Sequence, residues 1–158
     1  MSSLKSAQRT LPSELNDLLV AAITQVCETS FFAFTEVASP ELAASTADES
    51  RWFHGVVNFR GPMNGRVVVS LGEGLARDLF AAFLGFEDSS QSNPAEIHDV
   101  IGEFTNMVCG TWLTAVESDA CFALDHPAVL MAGPPLADSG ATVMAVNDRP
   151  VLVRAEIE

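Results

Sequence analysis

The sequence predicts an α+β fold: two long helices covering an antiparallel sheet, built from two similar helix-plus-hairpin units. Three observations predict it. Two segments, near residues 12–34 and 94–117, carry apolar residues at helical spacing. Short β-branched or alternating runs, broken by Gly, Pro and Asn, follow each of them. The composition, 48% hydrophobic and 18% charged over 158 residues, is that of a packed globular chain able to bury one core.

Residues 1–11 are polar and weakly basic without periodicity, and read as a flexible N-terminal segment ahead of a single domain at 12–158. From Pro12, PSELNDLLVAAITQVCETSFFAF places Leu15, Leu18, Leu19, Ala22, Ile23 and Val26 on one helical face. The pair Phe31 and Phe32 reads as core, as do Phe80 and Phe83. After the small, acidic stretch ASPELAASTADES, RWFHGVVNFRG and MNGRVVVSLG predict a hairpin. EGLARDLFAAFLG predicts a short helix leaving through Gly85, because glycine adopts the left-handed conformation without penalty.

A polar loop, EDSSQSN, leads to the second long helix. Asn93 can cap it, Pro94 suits its first position, and Glu96 stands where a capping box places its acid. The helix runs to about Glu117. CFAL, AVLMA, ATVMAV and PVLVRAEI then predict four strands.

The two long helices align without gaps when Asp17 is set against Asp99. DLLVAAITQVCET lies over DVIGEFTNMVCGT, with identities at Val26 and Val108, Cys27 and Cys109, and Thr29 and Thr111. The mismatches are more informative: where the second helix has Glu103 and Asn106, the first has Ala21 and Thr24.

At about 100° per residue, Asp99, Glu103 and Asn106 project from one narrow stripe, opposite an apolar arc of Val100, Ile101, Phe104, Met107, Val108 and Trp112. Folding does not call for this trio. Carboxylates at i and i+4 repel by about 0.2–0.5 kcal/mol, and Asn is a mediocre helix former. Gly102 and Gly110 flank the stripe at a cost of about 1 kcal/mol each relative to Ala, which their missing side chains would offset by admitting a second surface. An ordinary solvated helix face is the plain alternative.

Other chemistries find little support. A formal net charge of −13 repels phosphate backbones and anionic lipid, which excludes nucleic acid and membrane as partners. No apolar run reaches the roughly 18 residues of a membrane span, and the N-terminus shows no signal-peptide core, so a cytoplasmic location is expected. Cys27, Cys109 and Cys121 lie far apart in apolar surroundings and read as buried, reduced thiols. His54, His98 and His126 lack the spacing of a metal site or a nucleophile pair, and no phosphate-cradling loop is present.

The run DVIGEFTNMVCG resembles the signature of the CheC, CheX and FliY group of bacterial chemotaxis phosphatases: Asp or Ser, three residues, Glu, two residues, Asn. FRGPMNGRVVVSLGEGLARDLFAAFLG is similar to the hairpin and short helix of the same group, so the resemblance spans most of residues 12–157. One intact motif, a degenerate first copy and short length look more like CheX than like two-site CheC members. The family pattern often carries a Pro some two dozen residues after the Asn, and here Pro127 comes slightly early.

The resemblance implies a CheC-like fold and hydrolysis of the aspartyl phosphate on a phosphorylated CheY-like response regulator, without a covalent enzyme intermediate. Asn106 would orient the attacking water and Glu103 would pair with the regulator's lysine. Asp99, Gly102 and Gly110 would support docking. It also implies no cofactor bound by this chain, Mg²⁺ on the regulator, and a homodimer formed through sheet edges. The alternative is a non-catalytic docking module that binds a receiver domain or a flagellar assembly partner.

Overall fold

The computed structural model describes residues 11–38, 41–42, 51–85, 93–135 and 140–158. The expected flexible segment lies outside these except for Leu11, as does most of the polar loop before Asn93.

Helix α1 (Ser13–Ser30) opens behind Pro12, whose carbonyl accepts the Asn16 N–H at 2.9 Å, with no side-chain cap. It stops short of the predicted FAF end. The N–H groups of Phe31 and Ala33 both bond the Cys27 carbonyl, and Phe32 takes a left-handed φ of 52°. This turn separates the two phenylalanines. Phe31 is buried, stacked on Phe83 and edge-on to Phe104 with both ring centroids at 5.0 Å, whereas Phe32 is 78% exposed, contrary to the core reading of the pair. A strand absent from the sequence reading follows, β1 (Thr35–Val37).

The predicted hairpin is β2 (Trp52–Arg60) and β3 (Gly65–Gly72), paired from Trp52 with Gly72 to Phe59 with Gly65. Helix α2 (Glu73–Leu84) ends as expected at Gly85, φ 77°. Helix α3 (Pro94–Val116) starts at Asn93, whose side-chain oxygen accepts the Glu96 N–H at 3.0 Å. The Glu96 carboxylate in turn accepts from the Asn93 amide at 3.0 Å, so the acid closes on the cap's side chain. The chain finishes with β4 (Ala123–Leu124), β5 (Ala128–Ala132), β6 (Thr142–Val146) and β7 (Arg149–Ile157).

The sheet is antiparallel throughout, in the order β1-β6-β7-β3-β2, with β4 and β5 both on the far side of β2. This order repeats about its centre. β1 joins hairpin β6–β7 as β5 joins hairpin β2–β3, and β3 meets β7 in the middle. Each unit is thus a helix, a lone strand lent to the other unit's hairpin, and a hairpin of its own. Helix α2 is the extra element between them.

The helices bury one sheet face. Phe53, Val57, Phe59, Val67, Val69 and Val153 alternate inward along their strands and meet Leu19, Ile23, Ile101, Phe104, Val108 and Trp112. Trp112 donates its indole N–H to the Leu15 carbonyl at 3.0 Å, while Phe31 at the other end of α1 meets Phe104. The two long helices therefore run antiparallel. Gly55 lets β2 approach α3, since a Cβ there would lie 2.0 Å from the Thr105 hydroxyl.

Candidate functional site

Periodicity alone sets the two faces of α3. Val100, Ile101, Phe104, Val108 and Trp112 are buried and Met107 is half-buried, while Asp99 and Glu103 are exposed and Asn106 half-buried. Along the axis Glu103 lies about 6 Å beyond Asp99, and Asn106 about 4.5 Å further. The stripe is bordered on both sides. Toward one side stand α2 and α1; toward the other, Gly102, Cys109 and Leu113 are buried.

The two glycines part company here. Gly102 is buried, and a Cβ on it would sit 3.4 Å from Pro127 Cβ and 3.6 Å from Val129 Cγ2, so the chain's own β4–β5 turn occupies the space that the sequence left for another surface. Pro127 is thus packed against the helix that carries the stripe. A Cβ on Gly110 would meet nothing within 4 Å, and Gly110 lines an open groove with Ala21, Gln25 and Thr114 between the helices.

Neither Asp99 nor Glu103 takes part in an ion pair among the described residues. The ion pairs lie elsewhere: Arg51 and Arg77 on Glu73, Arg60 on Asp125, Arg66 and Arg154 on Glu156, and Arg149 on Asp78. Among the described residues the stripe therefore presents carboxylates without an ion-pair partner beside a side-chain amide that can donate and accept. Such a surface can bind a cation and position a water. It holds no hydroxyl or thiol nucleophile.

No group of three or more His, Cys, Asp or Glu suited to a metal ion occurs among the described residues. His54 lies on β2, bonded to the Ser70 hydroxyl at 2.8 Å and the Gly133 carbonyl at 3.0 Å, and the His98 ring stands edge-on to Phe53. Cys27 and Cys109 occupy matching buried positions, where desolvation pushes each thiol up to about 12, helped at Cys27 by neighbouring Glu28. Cys121 is exposed, which corrects the reading of all three as buried; it lies in the loop after α3, where apolar neighbours in sequence do not cover it. No helix of the described residues is long and apolar enough to cross a membrane.

Sequence reasoning missed the neighbour of the stripe. Phe80, Phe83 and Leu84 of α2 and Val100 of α3 line a cleft of about 440 Å³ that Glu96, Asp99 and Glu103 edge. The exposed apolar residue one step before the helix-ending glycine, Leu84, was the available signal.

A sequence model described as chemotaxis phosphatase CheX matches residues 53–146. No curated protein matches the sequence significantly. Among solved structures, the chain is similar to the chemotaxis protein CheX of Vibrio vulnificus, at 19% identity and TM-score 0.69 over 92% of this chain and 97% of that one. CheX of Desulfovibrio desulfuricans gives 21% and 0.64 over 92% and 99%. The complex of CheX with CheY, BeF3 and Mg²⁺ from Borrelia burgdorferi gives 12% and 0.61 over 91% and 97%. At these identities the structures establish a common fold.

Proposed function

The chain belongs to the CheX chemotaxis phosphatase family, and we propose that it hydrolyses the aspartyl phosphate of a CheY-type response regulator. The observation that carries this reading is exposed Glu103 and half-buried Asn106 about one turn apart on one stripe of a helix whose opposite face is core. Family membership supports a role toward CheY, as does the similarity to a CheX that forms a complex with CheY.

In this reading Glu103 takes the regulator's active-site lysine and so fixes the docking angle. The Asn106 amide then reaches the phosphoryl group and holds a water in line with the bond to the aspartate oxygen. Water attacks phosphorus, the P–O bond to the aspartate breaks with its electron pair going to the carboxylate, and inorganic phosphate leaves. Catalysis rests on positioning, so no group on this chain is covalently modified. Mg²⁺ belongs to the regulator, where it neutralises phosphoryl charge. Asp99 and Gly110 border the docking face, and the protein acts in the cytoplasm.

A homodimer through sheet edges completes the proposal. It is supported by exposed Phe32, Phe34 and Val37 in and just before edge strand β1, and by Leu130 and Met131 on β5.

The test follows decay of receiver domains phosphorylated with a small-molecule donor and Mg²⁺, with wild type and with Asn106→Ala. Accelerated decay that the variant loses is the expected result. Binding without acceleration would instead support the docking-module reading.

A further inference from the structure

We propose that the cleft between α2 and α3 is a second docking subsite for the same receiver, taking a segment in which an apolar side chain stands beside a lysine or arginine. The proposal rests on the function above for the identity of the partner, but its chemistry comes from the cleft. The floor and wall are apolar: Phe80 and Val100 are buried, Phe83 is half-buried, and Leu84 is 45% exposed on a helix whose Leu75, Leu79 and Phe80 are buried. The edge is acidic, formed by Glu96, Asp99 and Glu103. Among these, Asp99 and Glu103 belong equally to the stripe around Asn106, so one surface runs from the cleft into the site.

Charge decides what fits. The chain has eight basic residues, and all six that are described, Arg51, Arg60, Arg66, Arg77, Arg149 and Arg154, already pair with carboxylates elsewhere. No described cation of this chain therefore neutralises the cleft. The six described arginines of a second copy would be committed in the same way, and its net charge of −13 would repel the acidic edge, so it is a poor occupant. A receiver segment with a basic residue next to an apolar one satisfies both parts of the cleft, the alkyl stem lying on Leu84 and Phe83 and the charge reaching Asp99. The cleft would then set which receiver is accepted, while Asn106 acts on whichever phosphate is delivered.

The experiment measures receiver binding and steady-state dephosphorylation at two salt concentrations with wild type, Leu84→Ala and Leu84→Arg, each checked by circular dichroism and thermal melting. Leu84 is exposed enough for both substitutions to leave the fold intact. Leu84→Ala is expected to raise KM and Kd several-fold and Leu84→Arg by roughly tenfold or more, with a smaller change in kcat, as loss of a contact and then charge repulsion demand. Added salt should weaken wild-type binding more than that of Leu84→Arg. If Leu84→Arg binds and turns over a receiver as wild type does, the cleft proposal is overturned and the phosphatase reading stands. If wild type binds a receiver without accelerating its decay and Leu84→Arg abolishes that binding, the cleft proposal stands and the phosphatase reading falls. Absence of binding to every receiver overturns both.

Discussion

Helices α1 and α3 occupy equivalent places in the two units, and the difference that bears on function lies on their outward faces. Three inward pairs correspond in kind and in burial, Leu19 with Ile101, Val26 with Val108 and Cys27 with Cys109, while Ala22 and Ile23 give way to Phe104 and Thr105 and stay buried. The outward positions correspond in exposure but not in chemistry. Ala21 is exposed like Glu103, and Thr24 is half-buried like Asn106. Packing holds the inner face because each methylene there is felt in the stability, while solvent leaves the outer face free to diverge. A second feature is architectural: α2 follows the first hairpin and walls the α3 stripe.

The largest expected effect breaks the functional half of this comparison. Asn106→Ala should lose about 10² to 10³ in turnover on a phosphorylated receiver, as removal of one positioned catalytic group does, with an unchanged melting curve. Thr24→Ala, its counterpart, should change turnover less than twofold in the same assay. Equal losses from both would sink the one-site reading.

The structural half is tested by truncating matched core residues. Leu19→Ala and Ile101→Ala should each cost about 2–5 kcal/mol in urea unfolding, because both leave cavities beneath the same sheet face. A much smaller cost at Leu19 would mean that the first unit packs less tightly than the second.

Capping gives a smaller and asymmetric effect. Asn93→Ala should cost α3 about 1 kcal/mol of stability, whereas α1 begins behind Pro12 with no side-chain cap to lose. Urea midpoints of Asn93→Ala and Asn93→Asp check this, the second expected to retain most of the stability.

The matched thiols predict the gentlest slope. Cys27 and Cys109 stay protonated in the fold up to about 12, while unfolded cysteine ionises near its ordinary value of 9.0. Below 9 both states hold the proton and nothing changes. Above it the unfolded chain binds fewer protons, so stability falls as pH rises, by up to about 1.4 kcal/mol per unit for each thiol. Urea unfolding at pH 8 and pH 10 should show this fall, and Cys27→Ala or Cys109→Ala should each reduce it by about half. In the native state at pH 8, Cys121 should be the thiol that reacts readily with a maleimide.

Local patterns carried much of this protein. A helix fixes the angle between residues, so the sequence alone placed Asp99, Glu103 and Asn106 on one stripe and the core residues of α3 opposite. Turn and cap chemistry is equally local, and Gly85 and Asn93 mark helix ends where expected. The duplication was visible in the helices because thirteen residues align without a gap, with identities that include Val26 and Val108, Cys27 and Cys109, and Thr29 and Thr111.

What tertiary structure decided is what depends on residues distant in sequence. β1 exists because Thr35–Val37 finds Met144–Val146, more than a hundred residues away, and three residues are too few for alternation to reveal a strand. Phe31 and Phe32 are neighbours with opposite fates because the left-handed turn after α1 rotates one inward and leaves the other in water. Gly102 reads as open space until Pro127 is seen filling it. The cleft beside the stripe exists only because α2 packs against α3, a contact set by the shape of the shared core and not by any motif on either helix.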